Sequence, residues 1–192
     1  MKKIRIFAVS LMLIAGSAAS LSAVDFKSYP DSFKKGSIAI DAGIGLGSAL
    51  YGTTVVPPIS VTVDYALPIG GLPFSVGGLL GYTSTKDVSS DSFGSYGYKY
   101  SIIAAGARFA YHPDFGIKNL DAYTGVMLGY YIVSASTVAT GSYSGYSGSA
   151  GAGTVALGGY IGARYFFTKN IGAFAELGAG FTYATAGVSV KL

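Results

Sequence analysis

A strict alternation of side-chain types near the end of the chain most constrains its fold. In residues 171–181, apolar side chains and alanines occupy the odd-numbered positions, while glycines, Phe174 and Glu176 occupy the even ones. Residues 155–165 alternate in the same way, and a short polar segment, 168–170, separates the two runs. Successive side chains of a β-strand point to opposite faces, so a period of two indicates strands. The sequence therefore predicts antiparallel strands joined by a tight turn.

Eight alternating runs follow one another along the chain. They cover approximately 37–47, 58–68, 74–85, 98–111, 120–134, 153–166, 171–182 and 185–192. Most have about the 9–11 residues that a strand needs to cross a bilayer. Short connections at 67–73, 112–119 and 168–170 alternate with longer ones at 48–57, 87–97 and 135–152. This pattern predicts an all-β fold, an eight-stranded antiparallel up-and-down transmembrane β-barrel over residues 37–192, with short periplasmic turns and surface loops at 87–97 and 135–152.

The composition supports a membrane barrel over the other classes. Charged residues make up 11% of the chain, against about a quarter in soluble domains, and 29 of the 192 residues are glycine. Beyond the N-terminus no apolar run reaches the 18 or so residues of a transmembrane helix. The chain has no cysteine, which excludes disulfides and thiolate metal sites.

The N-terminus has the three-part pattern of a secretory signal peptide. Cations at Lys2, Lys3 and Arg5 precede an apolar run that ends in small residues. We expect residues 1–23 to be the signal, with cleavage after Ala23 and Ala19 as the nearest rival, and residues 24–36 to be a periplasmic lead-in. Without the signal, 10 cations face the 9 acids, so the charge gives no support to nucleic-acid binding.

Strand parity places seven charged residues on the face opposite to the apolar one. That face is otherwise rich in Gly, Ala, Ser and Tyr, which suits a cramped lumen better than a solvent surface. The predicted lumen charge network comprises Asp41, Asp64, Arg108, Asp121, Arg164, Glu176 and Lys191. Across the turns, Arg108 is expected to pair with Asp121 and Arg164 with Glu176. Asp41 is expected to meet Lys191 where the barrel closes, and Asp64 has no assignable partner. The network is interpreted as a packed polar core or as a narrow, gated polar path.

No catalytic, cofactor-binding or metal-binding site is predicted. The only histidine, His112, precedes Pro113 in a predicted periplasmic turn, where we expect an ordinary turn residue without a serine or acid in reach. The uncharged segment 141–151 carries Tyr143 and Tyr146 among serines and glycines. It is interpreted as a mobile linker or as an adaptable contact surface, since binding loops use the same residue types.

The pattern over residues 36–192 resembles the eight-stranded outer-membrane β-barrel family that includes OmpA- and OmpX-type domains, most strongly at 162–192. Thr185, Gly187, Val190 and Leu192 have the spacing of the C-terminal strand that the barrel insertion machinery reads, although these barrels commonly end in Phe. The resemblance implies a bacterial outer-membrane location after secretion and contacts with outer-membrane lipid and lipopolysaccharide. It also implies insertion by that machinery, and we expect a monomer.

A structural or surface-interaction role is the function we expect, with a host or surface ligand bound by the loops. A narrow channel for small solutes is the alternative, and a lipid-modifying enzyme is a distant one.

Overall fold

The protein, described by a computed structural model over residues 24–47, 50 and 52–192, is a closed antiparallel barrel. Each strand pairs with its neighbours in sequence, and the last strand pairs with the first. The strands are β1 (Ile38–Leu46), β2 (Thr53–Ala66), β3 (Phe74–Asp91), β4 (Gly94–Tyr111), β5 (Leu120–Gly141), β6 (Ser149–Phe166), β7 (Ile171–Ala179) and β8 (Ala184–Lys191). The predicted fold class and strand order are confirmed.

The described part of the chain holds no helix with the length and apolar character needed to cross a membrane. The predicted signal peptide, 1–23, lies outside the described residues.

An apolar band covers the outside of the barrel. Its outward side chains are strongly exposed, with 78% of Leu157, 66% of Leu80 and 58% of Leu128 accessible. On β3, β4 and β5 the last outward Leu, Ile or aromatic side chains toward the hairpins lie in register, since Tyr82 pairs with Ile103 and Ile103 with Ile132; this row of positions is called the ring below. Exposure of so much apolar surface suits contact with lipid hydrocarbon.

Two hairpins extend well beyond this ring, and here the predicted surface loops are wrong in extent. The β3–β4 ladder continues without a register shift to Asp91 and Gly94, so most of 87–97 is strand. The β5–β6 ladder likewise continues from Ile132 to Ser136 and Ser149, and most of 135–152 is strand. Ser, Thr and Tyr side chains are compatible with strands even where neither face is buried in a core, so a polar composition concealed the ladder. The parts of β3–β6 within 84–102 and 134–154 are called the protruding sheet below.

Two smaller boundaries also differ from prediction. Strand β2 begins at Thr53 rather than 58, and its ladder to β3 has register shifts on either side of Val56. Pro57 and Pro58 follow Val56 and cannot donate to a ladder, which accounts for the irregularity. Strand β7 ends at Ala179 rather than 182.

Residues 24–36 close the end of the barrel at which β1 begins and β8 ends. Phe33 is fully buried there, and its ring lies 4.7 Å from the His112 ring. Ser32 anchors the segment, because its hydroxyl donates to the Leu120 carbonyl at 2.6 Å and its own carbonyl accepts from Lys191 Nζ at 2.7 Å. The Tyr29 hydroxyl donates to the Phe74 carbonyl. The segment is called the N-terminal plug below, because it packs across this end of the lumen.

Candidate functional site

Arg164 on β6 holds three carboxylates from three other strands. Its Nε lies 3.1 and 3.0 Å from the two oxygens of Asp41, and its Nη1 donates to Asp121 Oδ2 at 2.9 Å. Its Nη2 donates to Asp41 Oδ2 at 2.7 Å and also to Asp64 Oδ2. Arg164 has no exposed surface, and the three acids are at most 1% exposed. This cluster ties β1, β2, β5 and β6 together across the lumen.

Arg108 on β4 forms a second cluster nearer the hairpin end. Its two terminal nitrogens donate to the two oxygens of Glu176 at 3.1 and 2.7 Å, a bidentate pair. Its Nε lies 3.4 Å from Asp64 Oδ1, so Asp64 links the two clusters. Tyr160 packs beneath its guanidinium, with the ring centroid 3.9 Å from Cζ. Both arginines are thus desolvated with acids and aromatic faces around them.

The structure brings six of the seven predicted network residues together, but in different pairs. Arg164 lies opposite Phe174 on β7 and binds Asp121 on β5, so the predicted Arg164–Glu176 pair is wrong. Arg108 lies opposite Met127 on β5 and binds Glu176, so the predicted Arg108–Asp121 pair is wrong as well. Asp64, which had no predicted partner, contacts both arginines.

Lys191 does not meet Asp41. Its Nζ bonds to Ser32 of the plug and lies 4.6 Å from the Phe166 ring centroid. The pairs of Arg164 with Asp41 and of Arg108 with Glu176 were missed because the predictions considered adjacent strands only, whereas long inward side chains in a narrow barrel reach the opposite wall. Lys191 was misassigned for another reason, since residues 24–36 supply its partner.

Glycines make room for this filling. A Cβ atom on Gly162 would lie 2.5 Å from Tyr123 Cζ, and one on Gly125 would lie 2.6 Å from Tyr160 Cζ. Both tyrosines lie against the arginines, as Tyr123 is 4.4 Å from Arg164 Cζ. The space beside Arg108 and Glu176 that water-sized molecules can enter amounts to about 30 Å³, enough for one or two waters. The lumen is therefore a packed polar core at the level of both arginines.

His112 differs from its predicted role as an ordinary turn residue. It is fully buried, its Nδ1 lies 2.7 Å from Asp121 Oδ1, and its Nε2 lies 2.9 Å from Ser75 Oγ. The prediction that no serine or acid would be in reach is wrong, because 74–75 and 120–121 begin strands that flank the 112–119 turn. Hydrogen bonds link the serine to the histidine and the histidine to the aspartate, as in a hydrolytic triad. However, none of the three side chains has exposed surface, and Asp121 is also bound to Arg164, so the group buttresses the lumen beneath the plug.

Aromatic side chains gather at the tip of the protruding sheet. The face of β4 that carries Arg108 in the lumen continues toward the tip with Tyr96, Tyr98 and Tyr100. All four residues are separated by multiples of two positions in an unbroken ladder, so their side chains share one face. The turn between β5 and β6 folds back onto them. The ring centroid of Tyr96 lies 6.2 Å from that of Tyr143 and 5.8 Å from that of Tyr146.

Asp91 joins this group and is held in place by hydrogen bonds. Its Oδ1 accepts from the backbone amides of Phe93 and Gly94 at 2.9 and 3.1 Å, and its Oδ2 accepts from the Tyr143 hydroxyl at 2.7 Å. These donors, the Tyr143 hydroxyl first, lower the pKa of Asp91 below its usual 3.8, and the same bond raises the pKa of Tyr143. Asp91 is therefore ionised and Tyr143 neutral at physiological pH.

The segment interpreted as a mobile linker or as a contact surface forms a hydrogen-bonded turn between the ends of β5 and β6. Ser142 donates to the Phe93 carbonyl at 2.8 Å and Tyr146 to the Tyr143 carbonyl at 2.9 Å. The sequence singled out Tyr143 and Tyr146, but it did not associate them with Tyr96 and Asp91, which complete the group. The spacing of Tyr96, Tyr98 and Tyr100 by two was the available signal, since it marks one face of a strand.

The residues of the tip bound a surface concavity of about 460 Å³, lined by Ser89, Ser90, Asp91, Tyr96, Tyr143 and Tyr146. Within the described ranges, no group of three or more His, Cys, Asp or Glu side chains is arranged to hold a metal ion.

Comparison with known proteins supports the fold. The N-terminal β-barrel domain of Pseudomonas aeruginosa OprF matches with a TM-score of 0.50 and 16% identity, over 82% of this chain and 98% of that domain. Ail, the attachment invasion locus protein of Yersinia pestis, matches with a TM-score of 0.42 and 18% identity, over 81% of this chain and 93% of Ail. Neisserial surface protein A matches with a TM-score of 0.41 and 16% identity, over 81% and 94%. No protein-family model and no curated protein sequence matches the chain. The chain has the fold of small eight-stranded outer-membrane barrels.

Proposed function

We propose that this chain is an integral barrel of the bacterial outer membrane with a surface-interaction or structural role, and that it is neither a channel nor an enzyme. The plugged end faces the periplasm and the protruding sheet faces outward, in keeping with short periplasmic turns and long external hairpins. The barrel acts as a monomer held in lipid by its apolar band.

The observation that carries this proposal is a contrast between the lumen and the hairpin tips. The lumen is closed twice, by the two arginine clusters and by Phe33 in the plug. Beyond the ring at Ile103, residues 94–102 of β4 add about 30 Å of strand along its direction. A barrel that only filled the membrane would not need this sheet, and function on external elements is common where a rigid scaffold presents them.

The outward face of the protruding sheet is also suited to lipid headgroups. Lys86 and Lys99 are cross-strand partners just beyond the ring, and both are exposed. Anionic phosphates of outer-membrane lipid and lipopolysaccharide lie at this level, so paired lysines there favour membrane anchoring. Delivery to this position requires the barrel insertion machinery, whose signal the last strand resembles.

The alternative, a narrow solute channel, would require the plug and both arginine clusters to rearrange together. A buried charge left without its partner costs about 3–5 kcal/mol, so an opening that separated either arginine from its acids inside the lumen would be unfavourable. Planar-bilayer recording of the refolded barrel tests this. We expect no steady conductance, and a stable, large single-channel conductance would show that the protein is a channel.

Cysteine labelling tests the orientation. The chain has no cysteine of its own, so single replacements at Gly145, in the β5–β6 turn, and at Lys169, in the β6–β7 turn, give matched reporters. On intact cells, a membrane-impermeant maleimide should label position 145 and not position 169, while both should react after lysis. Labelling at 169 alone on intact cells would contradict the proposed orientation.

A further inference from the structure

The three rings at the hairpin tip form a corner rather than a stack. The plane of Tyr96 is inclined by 53° to that of Tyr143 and by 76° to that of Tyr146. Together with Asp91 these rings line the concavity described above. The group is called the tyrosine cup below.

Charge is segregated between the two faces of the protruding sheet. Among the described residues beyond the ring, only Lys86, Asp87, Asp91 and Lys99 are charged. Asp87 pairs with Tyr98, so both acids share the face of the tyrosines, whereas both lysines occupy the opposite face. The cup is therefore electronegative and has no cationic side chain of the sheet to neutralise it.

The chemistry of the cup selects a cation over a neutral or anionic ligand. The face of an aromatic ring is the negative end of its quadrupole, and cations bind within about 6 Å of its centroid. The Oδ2 atom of Asp91 accepts one hydrogen bond, from Tyr143, which leaves it further capacity toward a positive group. A neutral sugar gains little from this field, and an anion is repelled by it.

We propose that the tyrosine cup binds an organic ammonium cation, with Tyr96, Tyr143 and Tyr146 around the methyl or methylene groups and Asp91 balancing the charge. The inference rests on the proposed surface role, since it needs the hairpin tips outside the cell. Two sources share this chemistry: a free or lipid-borne choline-type group, and a methylated lysine side chain.

Titration of the refolded, ¹⁵N-labelled barrel tests the proposal. The detergent is an uncharged polyoxyethylene, because phosphocholine and amine-oxide detergents would compete and glycoside detergents would obscure a sugar control. The probes are choline, Nα-acetyl-trimethyllysine amide, the neutral choline isostere 3,3-dimethylbutan-1-ol and N-acetylglucosamine, each at matched ionic strength. We expect saturable shifts of the Phe93, Gly94 and Tyr143 amides with the first two probes and none with the last two.

Four variants locate the site. Tyr96→Leu should weaken choline binding about fivefold or more, whereas Tyr96→Phe, which keeps the ring, should stay within about twofold. Asp91→Asn should weaken it several-fold while preserving the turn, because an Asn side-chain oxygen accepts the same backbone amides. Tyr183→Leu removes an exposed tyrosine between β7 and β8 and is the matched control. Heat-modifiable gel migration checks that each variant is folded.

The outcomes separate this inference from the proposed function. Equal binding of choline and its neutral isostere, binding of the sugar alone, or no saturable shift would each overturn the cup as a cation site. A non-conducting barrel that fails to bind choline retains its proposed surface role. If the barrel conducts ions and also binds choline at the cup, the proposed surface role is contradicted and the proposed cation site is supported. The ratio of choline to trimethyllysine affinity then distinguishes the two sources.

Discussion

Replacing Arg164 with alanine probes the lumen network most directly. The change removes a fully buried guanidinium that holds Asp41, Asp64 and Asp121. The three acids are not equally affected. Asp64 keeps Arg108 at 3.4 Å and Asp121 keeps His112 at 2.7 Å, whereas Asp41 keeps only the Thr62 hydroxyl at 3.2 Å. Asp41 is therefore the one carboxylate left buried with a single neutral hydroxyl as its partner, whereas Asp64 and Asp121 each keep a nitrogen partner.

The expected loss of stability follows from the one carboxylate, Asp41, that loses its only salt-bridge partner. Leaving one member of a buried ion pair without its partner costs about 3–5 kcal/mol, so Arg164→Ala should lower the free energy of unfolding by about that amount rather than by a multiple of it. Adding Asp41→Asn removes the stranded charge and should recover about 1–2 kcal/mol. Adding Glu176→Gln should recover nothing, because it weakens the bidentate pair with Arg108.

Urea unfolding of the barrel refolded into lipid vesicles, followed by tyrosine fluorescence and by heat-modifiable gel migration, measures these differences. The matched control is Lys34→Ala, which removes an exposed pair with Asp31 and should change stability by less than about 1 kcal/mol. An Arg164→Ala variant as mild as this control would contradict the role of Arg164 in the network. So would a Glu176→Gln change that restores stability better than Asp41→Asn, as the pairing expected from adjacent strands would require.

Leu177→Arg places a charge on the lipid face, where 57% of Leu177 is exposed, and should cost about 2–4 kcal/mol in the same titration; a neutral effect would invert the two faces. Gly162→Ala forces Tyr123 off Arg164 and should cost about 1–3 kcal/mol, an effect that disappears if the ring can simply move aside. Phe33→Ala empties a fully buried site in the plug and should cost about 3 kcal/mol or more, with faster hydrogen exchange at residues 24–36 as the specific readout. The folded-state pKa of Asp91 lies below 3.8, so the contribution of Asp91 to the stability of the tip is fully present above about pH 5 and is lost as pH falls through that pKa. The amide shift of Tyr143 should therefore be constant from about pH 8 to 5 and should change below about pH 4. A transition near neutral pH would contradict this.

The strands and their two faces could be predicted from the sequence because both depend on local periodicity. Side chains alternate strictly along a strand, so the position of Glu176 between Ala175 and Leu177 is enough to assign it to the face opposite Leu177. Closure also follows, since open sheet edges are not stable in hydrocarbon. Eight runs of this kind therefore determine a barrel before any contact is known.

The partners of the inward charges were decided by the tertiary structure. Arg164 reaches Asp41 and Asp64 across the lumen because barrel closure brings distant strands to the same height, and no spacing in the sequence encodes that height. His112 became buried for the same reason, since the plug folds over it from more than 70 residues away in the chain.

At the hairpin tips, too, the sequence determined the strand faces and the tertiary structure decided the contacts. The spacing of Tyr96, Tyr98 and Tyr100 by two residues identifies one face of a strand. Whether such a polar segment stays hydrogen-bonded as a strand depends on the segment that lies opposite it. Tyr143 and Asp91 lie 52 positions apart and meet only because both ladders continue in register to the tip. Local periodicity determined which residues share a face, and the closed geometry of the barrel decided which of them touch.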